Sequence, residues 1–483
     1  MKTRHVFAVI AAGLVVDLLS IIAWGNVGAS AFLMCCILVV FGLCTLADLK
    51  YGVALVLAEL VLGSQGRLFE FSMFGVSCSL RMAMFSILLV ALCWKLLQLR
   101  HRSALGISMI STPLKWLALA FSISIVAAFI IGVFRNASGL VYTDGNAWLF
   151  LLLTPAFLLA AQEDTRLLTR SILYAGLYLI FRAFVLLFMF SHDLGGLWVA
   201  FYQWVRDTRL GEITVLPGGF PRVFLQSMVL LFPVGLLAAR EVLQSSRLRT
   251  SAWQVVLFGG AVSVLVLSMS RSYWLAMLVL SAFGAAVVGV RLFRRRNVPW
   301  RRLFVLAGAG TSGLLLAICL VWLPWPRPLS TGVGDAIAQR LIADEAVGNR
   351  WQQIKPLTEA IWQHPLLGAG FGASVTYESK DPRTLAAFPD GQYTSTAFEW
   401  GYLDDLLERG IIGLGIEIVL LGLLIVMAIR KGGAAAALGC ALLGIVVVHA
   451  TSPYLNHPLG LTVLMLVFAL LLTRRHPHKT VTI

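Results

Sequence analysis

Apolar runs recur along almost the whole chain, separated by short polar or basic stretches, and one polar interval is far too long to be a turn. A run of about 18 or more apolar residues is long enough to cross a bilayer as an α-helix. The pattern predicts about fourteen such helices, approximately 6–24, 30–47, 52–64, 81–98, 114–134, 146–161, 171–190, 223–239, 252–269, 273–290, 303–323, 411–429, 434–450 and 457–473. The third is short and carries Glu59, so the pattern allows a range of twelve to fourteen. The predicted fold is therefore all-α and polytopic. It divides into a transmembrane bundle over 1–323, a large, partly helical loop over 324–410, and C-terminal helices with a basic tail over 411–483. A smaller polar interval, 192–222, lies within the bundle.

Basic residues set the orientation. If every helix crosses, Lys2 and Arg4, Lys95 to Arg102, Arg166 and Arg170, Arg240 to Arg249, Arg291 to Arg302, Arg430 and Lys431, and Arg474 to Lys479 fall on one side. The positive-inside rule makes that side cytoplasmic. Both termini are then expected inside and both polar intervals outside. The start resembles a signal peptide, with Val27-Gly28-Ala29 as a cleavage site, but Asp17 interrupts its apolar stretch. An uncleaved first helix is expected.

Composition agrees: 59% of the 483 residues are hydrophobic and only 13% charged, about half the charged share of a soluble domain. The net charge of +15 is explained by membrane orientation, and nucleic acid is not an expected partner. All seven cysteines lie in or beside apolar segments, which argues against a disulfide framework or a thiolate metal site. No nucleotide-binding domain or soluble catalytic domain is visible, so any chemistry belongs to the outer face.

Chemistry-bearing residues gather between Arg350 and Gly413. Asn349 followed by Gln352 reads as a helix start, with Trp351, Ile354, Thr358 and Ile361 at helical spacing and His364-Pro365 as the stop. Leu-Leu-Gly-Ala-Gly-Phe-Gly, ending at Gly372, reads as a tight turn reversing the chain; no Lys-Ser/Thr follows to make it a phosphate loop. Thr396 and Glu399 read as a capping box opening a helix that runs into the twelfth span. Alternatively, Glu399 stands just outside the bilayer as a general base toward a sugar hydroxyl. Asp404 and Asp405 diverge on a helix, and Asp405 with Arg409 reads as a surface i,i+4 pair.

Arginines at the outer membrane edge form a second group. Arg222 lies where a loop enters the eighth span, Arg271 at the turn between the ninth and tenth, and Arg350 at the loop helix. A guanidinium fork suits a pyrophosphate, whereas the plainer reading is snorkelling to headgroups. Arg182 and Arg81 are expected to face the bundle interior, as structural ion pairs or substrate contacts.

Ser-Met-Ser-Arg-Ser around Arg271, the segment from Arg350 through Gly372, and Tyr-Leu-x-x-Leu-Leu-Glu-Arg-Gly-Ile-Ile-Gly from Tyr402 together resemble the O-antigen ligase/polymerase superfamily. The resemblance covers about Arg222 to Leu414. It implies a GT-C-like, metal-independent inverting glycosyltransferase of the bacterial inner membrane, its active site facing the periplasm or cell exterior, with no cofactor. The implied partners are an undecaprenyl-pyrophosphate-linked glycan donor and a glycan acceptor within the bilayer, and a chain-length regulator is a further candidate. The positions matching Arg222 and Arg271 are implied to hold the pyrophosphate. Where the ligases place a His-Asn pair, this chain has Glu399-Trp400. That departure puts Glu399 in the base position and favours a polymerase over a lipopolysaccharide ligase or protein oligosaccharyltransferase. A flippase or transporter is the reading from another class, but the polar weight in one loop and the lack of a repeat count against it. His364 falls in the turn motif and is expected to be structural.

Overall fold

The apolar runs form helices because a chain in lipid must satisfy every backbone polar group within its own segment. A computed structural model describes residues 3–73, 76–98, 112–216, 219–245, 252–329, 334, 336, 345–379 and 382–473. In chain order the first elements are α1 (Thr3–Ala23), α2 (Val27–Ala47), α3 (Leu49–Leu62), a hairpin of β1 (Phe71–Met73) and β2 (Val76–Cys78), α4 (Leu80–Gln98) and α5 (Thr112–Arg135). Next come α6 (Ser138–Gly145), a 3-10 segment (Asn146–Leu153), α7 (Thr154–Ser191), α8 (Leu197–Asp207), the strands β3 (Gly211–Val215) and β4 (Pro221–Leu225), and a short 3-10 turn (Gln226–Leu230). The bundle continues with α9 (Leu231–Gln244), α10 (Ala252–Leu267), α11 (Arg271–Phe293) and α12 (Trp300–Val321). The long loop holds α13 (Glu345–Gln363), β5 (Val375–Glu378), α14 (Pro382–Ala387) and β6 (Gln392–Ser395). The chain closes with α15 (Gly401–Lys431), α16 (Gly433–His449) and α17 (Pro458–Leu472).

Among the described residues, nine helical stretches are long and apolar enough to cross a membrane, and α10, α16 and α17 are shorter apolar helices beside them. The chain is a multi-pass membrane protein. The predicted sixth and seventh spans run together as one 54-residue stretch over 138–191, which breaks at Asp164 (φ −151°, ψ 86°). Asp164 Oδ1 accepts from the N–H groups of Arg166 and Leu167 at 2.9 and 3.0 Å and so caps the second half. α17 is buried nearly all round and marks the bundle interior. By contrast only 6% of the α11 span window is buried, a face that lipid can cover and water could not.

Four of the charges inside spans form two ion pairs between helices. Arg182 Nε donates to Asp17 Oδ2 at 2.8 Å, and Tyr178 donates to the same oxygen at 2.6 Å. Arg81 grips Glu59 through two bonds of 2.9 and 3.1 Å and the carbonyl of Ser64 at 2.7 Å. Of the two roles open to these arginines, the structure gives both an ion-pairing one.

Three expectations need correction. Arg222 does not sit on a loop: it lies on β4, whose antiparallel pairing with β3 sets Arg222 opposite Thr214. The loop helix starts at Glu345, so Asn349 lies inside it rather than capping it. Its buried positions are Gln353, Leu357 and Ile361, while Trp351 is exposed, because the face is chosen by the hairpin of β5 and β6 that it packs against. Finally, Thr396 and Glu399 form no capping box, since α15 begins at Gly401 with Trp400 in the N-cap position. Ser395 makes the local turn instead, accepting from Ala397 N–H and donating to Ala397 O.

The glycine turn is more than a reversal. α15 breaks at Gly410 (φ 64°, ψ −176°), leaving backbone groups on both sides without helical partners. The turn supplies them: Ala369 and Gly370 N–H donate to the carbonyls of Leu407 and Glu408 at 2.7 and 3.1 Å, and Ile411 and Ile412 N–H donate to those of Pro365 and Leu366 at 2.9 and 3.3 Å. Phe371 N–H reaches Ala128 O at 3.1 Å, and Gly372 N–H reaches Asp144 Oδ2 at 2.7 Å. These amides are occupied by protein acceptors, so the turn is no phosphate cradle. It fixes the long loop to α5, α6 and α15.

Candidate functional site

Glu399 owes its position to the residue before it. Phe398 plugs into a small core with Leu357, Ile361, Val375, Tyr377 and Leu407, which turns the next side chain outward. Glu399 is 52% exposed and ion-paired with Arg350, itself 31% exposed. Trp400 Nε1 donates to Arg350 O at 2.9 Å, and its ring meets Trp351 edge-on at 5.6 Å. The loop helix and the start of α15 are thus joined through two sequence-predicted site residues.

Arg222 lies elsewhere. Its Nε donates to Ser268 O at 3.1 Å and its guanidinium sits 4.9 Å from the Phe224 ring centre. It borders a cavity of about 470 Å³ walled by α8, β3 and β4, to which Arg206, Arg209 and Glu212 also contribute. Arg206 is engaged by Asp207 at 2.8 Å. With Arg206 matched by Asp207, Arg209 and Arg222 against the single Glu212 carboxylate leave the wall electropositive. Arg271 opens α11 directly after the 268–270 turn that accepts from Arg222, so these two arginines are brought to one turn.

Hydrogen bonds through His449 and Tyr454 link α15, at Asp405, to the wall of the arginine cavity. His449, at the end of α16, accepts the N–H groups of Tyr454 and Leu455 on Nδ1, both at 3.1 Å. That makes the ring a neutral Nε2–H donor toward Asp405 Oδ2, 2.8 Å away. The Tyr454 hydroxyl meets Tyr273 OH at 2.7 Å and reaches both oxygens of Gln226, on the arginine cavity wall, at 3.2 Å. Burial raises the Tyr454 hydroxyl well above the ordinary phenol range, so it stays protonated.

Asp405 also belongs to a charge cluster that sequence reasoning misplaced on the surface. The Asp405–Arg409 pair exists, at 2.5 Å, but neither side chain is exposed at all. Arg409 further pairs with Glu417 and lies 4.6 Å from the Trp148 ring centre, while Asn456 donates to Asp404 at 3.2 Å. Glu417 inside an apolar run was the available signal: a lone acid there must find a buried cation. Gln226, His449, Tyr454, Arg206 and Arg209 carried no comparable mark. Among the described residues there is no group of three or more His, Cys, Asp or Glu placed to hold a metal ion.

No curated protein matches the chain. A protein-family model described as O-antigen ligase does match residues 255–418, about a third of the chain, taking in Arg271, Arg350, Glu399 and the Gly410 break but not Arg222. The match supports a glycan-processing, glycosyltransferase-like enzyme working with lipid-linked glycans. Over residues 255–418, then, the chain is similar to the O-antigen ligase family.

Proposed function

We propose that the protein polymerises undecaprenyl-pyrophosphate-linked oligosaccharide repeats, as for O-antigen, capsule or exopolysaccharide, on the outer face of the bacterial inner membrane. The observation that carries this reading is the cavity bordered by Arg206, Arg209 and Arg222 beside the turn that leads into Arg271. A diphosphate leaving group calls for several charge-assisted donors, each contributing about 1.5–3 kcal/mol.

In the proposed reaction the acceptor hydroxyl oxygen attacks the anomeric carbon of the donor, and the bond to the diphosphate oxygen breaks with inversion. The proton passes to Glu399, and the charge left on the lipid diphosphate is taken up by Arg222 and Arg271. Arg350 is assigned as a third diphosphate contact. Exchanging Glu399 for phosphate as the donor enters would free the carboxylate to act as base. The test is polymer length in cells carrying Glu399→Gln or Arg271→Ala, with expression confirmed: short or absent ladders are expected, and wild-type ladders from well-expressed variants sink the assignment.

A ligase is the second reading, favoured by the description of the matching family. A deletion strain separates the two. A single repeat still attached to its acceptor indicates a polymerase, and full-length polymer left on its lipid carrier indicates a ligase.

A further inference from the structure

A second cavity, of about 420 Å³, adjoins the first, and Gln65 borders both. Its polar rim comes from residues beside the β1–β2 hairpin, from the 3-10 segment after α6 and from the start of α17, including Ser79, Asn146 and His457. Its floor is apolar and runs down between α4 and the 3-10 segment, where Phe85 stacks on Phe150 at 6.1 Å. Met82 and Leu149 on that floor are 50% and 40% exposed, so the floor opens sideways toward lipid.

The rim's charges are already matched. Arg81 is held by Glu59 and Arg67 by Glu70 at 3.3 Å. What remains is neutral: hydroxyls, amides, and the His457 ring. His457 Nδ1 accepts from Leu459 N–H at 3.3 Å, which makes the ring a neutral Nε2–H donor at the rim. An electropositive cavity and a neutral one thus share a wall. The first suits a diphosphate. The second has the placed donors and acceptors and the aromatic floor that suit an uncharged sugar.

We propose that this second cavity seats the acceptor, the uncharged sugar head of a lipid-anchored saccharide, with its lipid leaving sideways past Met82 and Leu149. The inference rests on the proposed glycosyl transfer and adds where the second substrate binds and by which route it arrives. Two sources share this chemistry, a polyprenyl-linked saccharide and a lipid A core glycolipid.

The test counts bound lipids by native mass spectrometry on the full chain in nanodiscs. Three probes are used: undecaprenyl pyrophosphate without sugar, the lipid-linked single repeat extracted from cells lacking the protein, and a lipid A core glycolipid. Wild type is expected to bind one sugar-free diphosphate, lost in Arg222→Ala, and a second lipid only when that lipid bears sugar. Ser79→Trp fills the rim and is expected to weaken the second copy about tenfold or more while the first is retained. Asn146→Ala, which removes one polar contact, is expected to weaken it about three- to tenfold, and it decides the matter if Ser79→Trp does not fold. Unchanged second-copy binding in a folded variant, or equal loss of both copies, overturns the proposal. Failure of the sugar-free diphosphate to bind wild type instead overturns the proposed function. Whichever sugar-bearing probe gives the rim-sensitive second copy names the source; if neither does, the proposal is overturned.

Discussion

Replacing Gly410 by alanine tests the joint between the long loop and α15. At φ 64° and ψ −176° the backbone lies in a region essentially closed to side-chain-bearing residues, with a cost of about 1–3 kcal/mol. An added Cβ would stand 2.3 Å from Leu366 O and 2.6 Å from Gly368 N, both backbone atoms of the turn that fills the break. They retreat only by stretching the four bonds that tie Pro365 through Gly370 to Leu407 through Ile412. Overpacking of this kind costs about 1–3 kcal/mol more, giving about 2–6 kcal/mol together. At roughly 2 °C per kcal/mol, the thermal midpoint in detergent should fall by about 4–12 °C. Gly415→Ala is the control: it lies in the same helix with open space around its Cβ position, and alanine there should be neutral or slightly stabilising. Tryptophan fluorescence or a thiol-reactive dye follows both melts. Equal melting temperatures for the two variants would refute the account of Gly410.

Three further outcomes are expected. Arg409→Met strands the buried Asp405 and Glu417 carboxylates and should cost about 3–5 kcal/mol; adding Asp405→Asn and Glu417→Gln should recover part of the loss in thermal melts. Arg182→Met and Asp17→Leu should be coupled by about 1 kcal/mol or more in a double-mutant cycle, because each alone leaves a buried charge; additive effects would deny the pair. Tyr454→Phe removes the hydroxyl that reaches Gln226 and should weaken undecaprenyl pyrophosphate binding about three- to tenfold, read by titration with a fluorescent analogue.

How much could be read in advance depended on the range of the interaction. Spans were legible because about 18 apolar residues in a row have few other uses, and the predicted spans fall mainly on helix, although the sixth opens as a 3-10 segment and the eighth enters as β4 and a 3-10 turn. The Asp405–Arg409 spacing was legible as a local pair, but its burial was not. That burial depends on Trp148 and His449, which arrive from distant parts of the chain. Asp17 and Arg182 were each conspicuous in a span, yet nothing in the sequence joined residues so far apart. The hairpins escaped because strands of three to five residues are too short for alternation to register. The setting of Glu399 was not legible either: it precedes the helix rather than opening it, because Ser395 turns the chain and Phe398 anchors it.

The plug at Gly410 has a consequence for anyone exchanging parts between related chains. A loop cut at the membrane edge, at about residue 410, would separate two strings of residues that complete each other's backbone bonding. Loop and span therefore cannot be swapped independently. A working chimera must carry 364–372 together with 407–412, and must match Ala128, Asn136 and Asp144, which hold the turn from the other side. The inheritable unit is the joint.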